Sequence, residues 1–207
     1  TSLPQTASTT TKLVVTTLTR GTFYTFTVAA KNTAGYSSFS LPSSPAVAPR
    51  TVPGVPSNVV ATVNNTGGVV VTWTAPAANG NAISDYVVQS CVGSTCTAFA
   101  RDASIATSVT VTGLTTGTAY TFKVAAKNAA GTGEFGTSLA VTPRTVPDAP
   151  TSVLSVVDNT GGVDVSWTAP ANNGGNAITD YTVQSCISST CTTFTRTAST
   201  GTSVKVT

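Results

Sequence analysis

Apolar and polar residues alternate in short bursts along this chain, and the bursts are separated by clusters of Gly, Asn, Pro and Ser. In VVVTW, Val69, Val71 and Trp73 fall on one side with Val70 and Thr72 on the other, a period of two that predicts a half-buried strand. The same period aligns Tyr86, Val88 and Ser90 in ISDYVVQSC, Val109 and Val111 in TSVTVTGL, and Tyr120, Phe122, Val124 and Ala126 in AYTFKVAAKN. SNVVATV (Ser57–Val63) opens this series and LAVTP (Leu139–Pro143) closes it. The turn clusters fall roughly every ten residues, and no stretch carries a helical period. About seven short strands in this arrangement predict an antiparallel β-sandwich.

The pattern repeats. GTFYTFTVAAKNTAG, Gly21 to Gly35, returns as GTAYTFKVAAKNAAG, Gly117 to Gly131, 96 residues on. Trp73 returns as Trp167, 94 residues on, and PRTVP at Pro49–Pro53 returns at Pro143–Pro147. A period near 95 residues is a whole small domain and not a solenoid turn. The expected division is the back part of one unit over 1–51, a complete unit over 52–145 and the front part of another over 146–207. The PRTVP segments read as short, stiff linkers, since proline fixes φ and cannot extend a ladder into the next unit.

The ends fall inside units. The last stops in the strand Thr202–Thr207, and the first begins at a position equivalent to about Thr97. A window on a longer repetitive chain gives this pattern, as does a fibre in which half-units of successive molecules complete one another. Thr1 in place of Met also fits an internal or processed segment.

The recurring residues resemble the fibronectin type III family. PSNV or PTSV opens a unit, and Trp73 or Trp167 sits on its second strand. I-x-D-Y-x-V follows at Ile83–Val88 and Ile178–Val183, and G-L-x-x-G-T-x-Y-x-F-x-V-x-A-x-N spans Gly113–Asn128. The resemblance implies tandem seven-stranded, immunoglobulin-like sandwiches, one complete and two partial. It implies core roles for Trp73 and Trp167 and a tyrosine corner at Tyr24 and Tyr120, each hydroxyl bonding backbone near the preceding turn. The Gly/Asn-rich, charge-poor style is similar to bacterial and phage-borne members.

Composition narrows the function classes. Charged residues are 8% of the chain, against ~25% in an average globular protein. The net charge of +3 is spread out, with no basic cluster of the kind that neutralises phosphates, so no nucleic-acid partner is expected. No apolar run approaches the ~20 residues of a membrane span. His is absent, which removes the commonest general base and metal ligand. Among the acidic residues Asp85 and Asp180 alone recur at one position, at the start of the third strand, and read as solvated turn or edge carboxylates. No catalytic residue, cofactor site or metal site is expected. The NNTGG and NTGG runs at Asn64 and Asn159 read as hairpin turns, with no helix following for an anion to sit on.

Four cysteines form two local pairs, Cys91/Cys96 and Cys186/Cys191, each flanking a four-residue interval between strands. Residues opposite across a hairpin lie within disulfide range, so a bridge in each pair is the leading reading. Zinc lacks ligands, the spacing is not that of a redox C-x-x-C, and a reduced, inert pair is the remaining alternative. Bridges place maturation in an oxidising compartment, extracellular or on a cell or virion surface.

Loop Pro76–Ala82 and its counterpart Pro170–Ala177 differ by one residue. Tyr36, Phe39 and Phe135 are the candidates for a surface contact. The expected function is structural or adhesive, a rod-like spacer in a long surface or fibre protein. The alternatives are a bacteriophage tail or capsid appendage, and an accessory spacer or carbohydrate-contacting region of a secreted polysaccharide-degrading enzyme. The partners expected are neighbouring repeats, in the same chain or in adjacent copies, and a protein or glycan surface.

Overall fold

Alternation along Val69–Thr74 becomes alternation of burial: Val69, Val71 and Trp73 lie in the core and Thr72 and Thr74 face out. The computed structural model describes residues 8–207, so the first seven residues of the 1–51 segment lie outside it. Among the described residues all regular structure is β, paired antiparallel, and there is no helix.

The first segment holds a two-stranded hairpin of β1 (Lys31–Asn32) and β2 (Gly35–Tyr36). The middle unit contains β3 (Ser57–Val63), β4 (Val69–Thr74), β5 (Asp85–Val92), β6 (Thr95–Ala98), β7 (Ser108–Val111), β8 (Thr121–Asn128), β9 (Gly131–Thr132) and β10 (Gly136–Thr137). The last segment contains β11 (Thr151–Val157), β12 (Val163–Thr168), β13 (Val183–Ile187), β14 (Thr190–Phe194) and β15 (Ser203–Val206).

In the middle unit one sheet runs β3-β4-β7 and the other β10-β8-β5-β6, with β9 also on β8. The first contributes Val69, Val71, Trp73 and Val111 to the core, and the second Tyr86, Val88, Phe122, Val124 and Ala126. Burying each large apolar side chain contributes about 1.5–3 kcal/mol. Trp73 meets Tyr86 edge-on between the sheets, ring centroids 5.1 Å apart, and Trp167 meets Tyr181 in the same way at 5.2 Å. The last segment repeats the first sheet as β11-β12-β15 and the hairpin as β13-β14.

The closing strand departs from the expected Leu139–Pro143 ladder. It pairs in pieces: with β8 through β9 and β10, and just before β8 through one isolated bridge, Tyr120 to Val141. The opening segment of the unit crosses close by, so that a side chain on Gly133 or Gly136 would overlap the Pro53 or Pro56 carbonyl. Where the regular ladder is broken, Ser138 supplies both groups that Phe122 needs. Its amide donates to the Phe122 carbonyl, and its hydroxyl accepts the Phe122 N–H, both at 2.9 Å. In the first segment Ser37, Ser40 and Ser43 do the same for Ala30, Val28 and Phe26. A serine at every third position thus satisfies a strand edge that a period-two ladder cannot reach.

Candidate functional site

The recurring carboxylate is engaged. Asp85 opens β5 and its Oδ1 accepts from Arg101 Nη2 at 3.1 Å and from the Ser104 amide at 3.0 Å. Arg101 Nη2 also donates to the Tyr86 carbonyl at 2.6 Å. In the last segment Asp180, Arg196, Ser199 and Tyr181 repeat this arrangement, with corresponding distances of 3.1, 2.9 and 2.6 Å. The Ser199 amide holds the Asp180 carboxyl below its ordinary pKa, with help from the Tyr181 amide and the Arg196 charge. The reading as a solvated carboxylate is therefore corrected for Asp85, whereas Asp180 makes the same bonds with its side chain still 43% exposed. The Asp85 side chain is only 24% exposed and that of Arg101 15%, because the loop after β6 folds over the start of β5.

The turn at Asn64 is closed by its own side chain, whose Oδ1 accepts from the Thr66 amide and hydroxyl and the Gly68 amide. Asp158 takes the equivalent place and adds an ion pair with Lys205. That pair lowers the Asp158 carboxyl well below its ordinary range, and the Thr160 and Gly162 donors lower it further.

Cys91 lies directly opposite Cys96 in the β5–β6 hairpin, and Cys186 opposite Cys191 in β13–β14. Both pairs are disulfide-bonded, with Cα atoms 4.0 and 4.1 Å apart. The Tyr24 hydroxyl accepts the Thr19 N–H at 3.1 Å, and the Tyr120 hydroxyl accepts the Thr115 N–H at 3.2 Å. Each ties the strand to the turn five residues before it.

Residues 54–142 match the family model described as "Fibronectin type III domain". This segment is a fibronectin type III domain. It is a non-catalytic module, and it contains the complete sandwich, the Cys91–Cys96 bridge and the Tyr120 corner. Over a longer span, the chain is 35% identical to "Chitinase A1" of Niallia circulans, across 64% of this chain and 19% of that protein. It is 34% identical to "Endoglucanase B" of Cellulomonas fimi, across 80% of this chain and 17% of that protein. The chain thus spans about a fifth of the length of the curated relatives it matches. Among solved structures, a crystal structure of titin domains is 26% identical over 56% of this chain and 39% of that one, with a TM-score of 0.44.

The three surface aromatics are not one patch. Tyr36 is 72% exposed on the β1–β2 hairpin with Lys31 Nζ 4.9 Å from its ring centre, a cation–π contact. Phe39 lies just beyond that hairpin, exposed. Phe135 occupies the equivalent place 96 residues on, within the fibronectin type III domain, and is half-buried there. Among the described residues no three His, Cys, Asp or Glu side chains gather as a metal site would require.

Arg101 and Ser104 escaped the sequence reading, although a signal existed. Arg196 and Ser199 follow them at the 95-residue spacing that relates Asp85 to Asp180.

Proposed function

We propose that this chain is a non-catalytic spacer, a rod of fibronectin type III-like units in an extracellular multidomain protein. The observation that carries the reading is how its recurring polar residues are used. Asp85, Arg101, Ser104 and Tyr120, with their counterparts, all bond to their own unit and hold its strands and loops. A scaffold whose repeated chemistry is spent internally suits spacing and presentation. Two disulfide-pinned hairpins support maturation in an oxidising compartment.

A second reading has a specific observation behind it: the spacer belongs to a secreted polysaccharide-degrading enzyme. Two relatives carry the names chitinase and endoglucanase, and the chain matches only about a fifth of each. The test is a pull-down of the full chain on insoluble chitin and on cellulose. The spacer reading expects the chain to stay in solution with both. Retention that Tyr36→Ala or Phe39→Ala abolishes, with the circular dichroism unchanged, replaces it with a carbohydrate-contacting role.

A further inference from the structure

The segments that join successive units are held from both sides. At the first joint the Pro49 carbonyl accepts from the Gly21 amide at 3.0 Å, in a turn of the first segment. Two residues later the Thr51 amide donates to the Asn79 carbonyl at 3.1 Å, in the loop between β4 and β5. Asn128, 3% exposed, donates from Nδ2 to the Thr51 carbonyl at 2.9 Å and to the Ala78 carbonyl at 3.0 Å. At the second joint the Pro143 carbonyl accepts from the Gly117 amide at 3.0 Å. The Thr145 amide donates to the Gly174 carbonyl at 2.9 Å and the Asp148 amide to the Asn172 carbonyl at 3.0 Å.

Between these anchors the two units touch backbone to backbone. A Cβ on Gly80 would sit 2.6 Å from the Pro49 oxygen and 2.7 Å from the Gly21 nitrogen. One on Gly175 would overlap the Gly117 nitrogen and sit 2.9 Å from the Thr116 carbonyl carbon. Both glycines also hold left-handed φ, +88° and +81°. The loops that carry them differ by one residue, yet the contact is the same. Asn79 and Gly174 supply the same carbonyl, and Gly80 and Gly175 face the same turn glycine. The extra residue is absorbed ahead of the contact, before Asn172.

Interfaces between domains of one chain ordinarily permit relative motion. Here the torsions between Pro49 and Thr51, and between Pro143 and Thr145, are clamped by backbone bonds to both neighbours. We infer that the contact of loop glycine with turn glycine is a lock that holds adjacent units at one fixed angle. The lock stands whatever the rod presents: a chain retained on chitin is still stiff if the lock holds.

The test is residual dipolar coupling of the full chain, fitted separately for 52–145 and 146–207. The lock requires one alignment tensor for both. Gly175→Ala should split it into two, while Gly93→Ala should not. Gly93 has φ +58° and open space around its Cβ position, so it bears the backbone cost without touching a neighbouring unit. Two tensors in the unsubstituted chain, or one shared tensor in Gly175→Ala with both sets of strand shifts intact, overturns the inference. Hydrogen exchange of the unsubstituted chain gives a second reading that needs no variant. The lock protects the Thr145 amide, whose bond to Gly174 crosses between the units, as β8 amides are protected, and exchange at open-loop rates refutes it.

Discussion

Replacing Asp85 by Ala removes the acceptor at the start of β5 and strands two donors. The Ser104 amide loses a bond to a charged oxygen 3.0 Å away, worth about 1.5–3 kcal/mol. The Arg101 guanidinium, 15% exposed, loses the Asp85 counter-charge but keeps the Tyr86 carbonyl, so the remaining ion-pair loss is about 1 kcal/mol. The sum is a destabilisation of roughly 2–4 kcal/mol. For a domain of this size the urea slope is ~1 kcal/mol/M, so the midpoint falls by roughly 2–4 M. Asp85→Asn keeps an oxygen for Ser104 and falls by about half as much. The assay is equilibrium urea unfolding followed by Trp73 fluorescence in a Trp167→Phe background, which leaves one reporter, in the middle unit. A loss below about 0.5 kcal/mol for Asp85→Ala is what an exposed carboxylate gives, and it would falsify the bonded reading.

Two further outcomes are expected. Reducing the Cys91–Cys96 bridge, or replacing both residues by Ser, opens a short loop and costs the middle unit about 2 kcal/mol, read as a lower thermal midpoint with dithiothreitol than without. An equal midpoint in both conditions refutes it. The last segment carries an acid limb of stability. In the last segment the folded state holds Asp158 and Asp180 below their ordinary value of 3.8, so their contribution is complete above that pH and is lost as the pH falls through the folded values. Acid unfolding followed by Trp167 should therefore show a limb that Asp158→Asn reduces. An unchanged limb counts against the Lys205 pair.

Much of the sandwich is legible because alternation is a local property. Val69, Val71 and Trp73 face one way in any strand, and so do Phe122, Val124 and Ala126, so two faces of one core can be read without knowing how the sheets meet. Hairpin pairing of Cys91 with Cys96 is equally local, since only four residues separate them. Repetition at about 95 residues predicts where one unit ends and the next begins.

Contacts between distant segments are decided by the tertiary structure alone. Asp85 reads as a solvated turn residue until the loop after β6 brings Arg101 and Ser104 over it. The closing strand reads as one ladder until the opening segment crosses beside Gly133 and Gly136, and Ser138 has to complete the bonds of Phe122. PRTVP reads as stiff because proline is stiff. The bonds from Gly21 and Asn79 that clamp it come from turns 28 residues either side of Pro49 and Thr51. Period and turn chemistry act over a few residues and are written in the chain order. Which backbone groups meet across a loop, or across two units, depends on where the sheets and turns place them, and no local pattern encodes that distance.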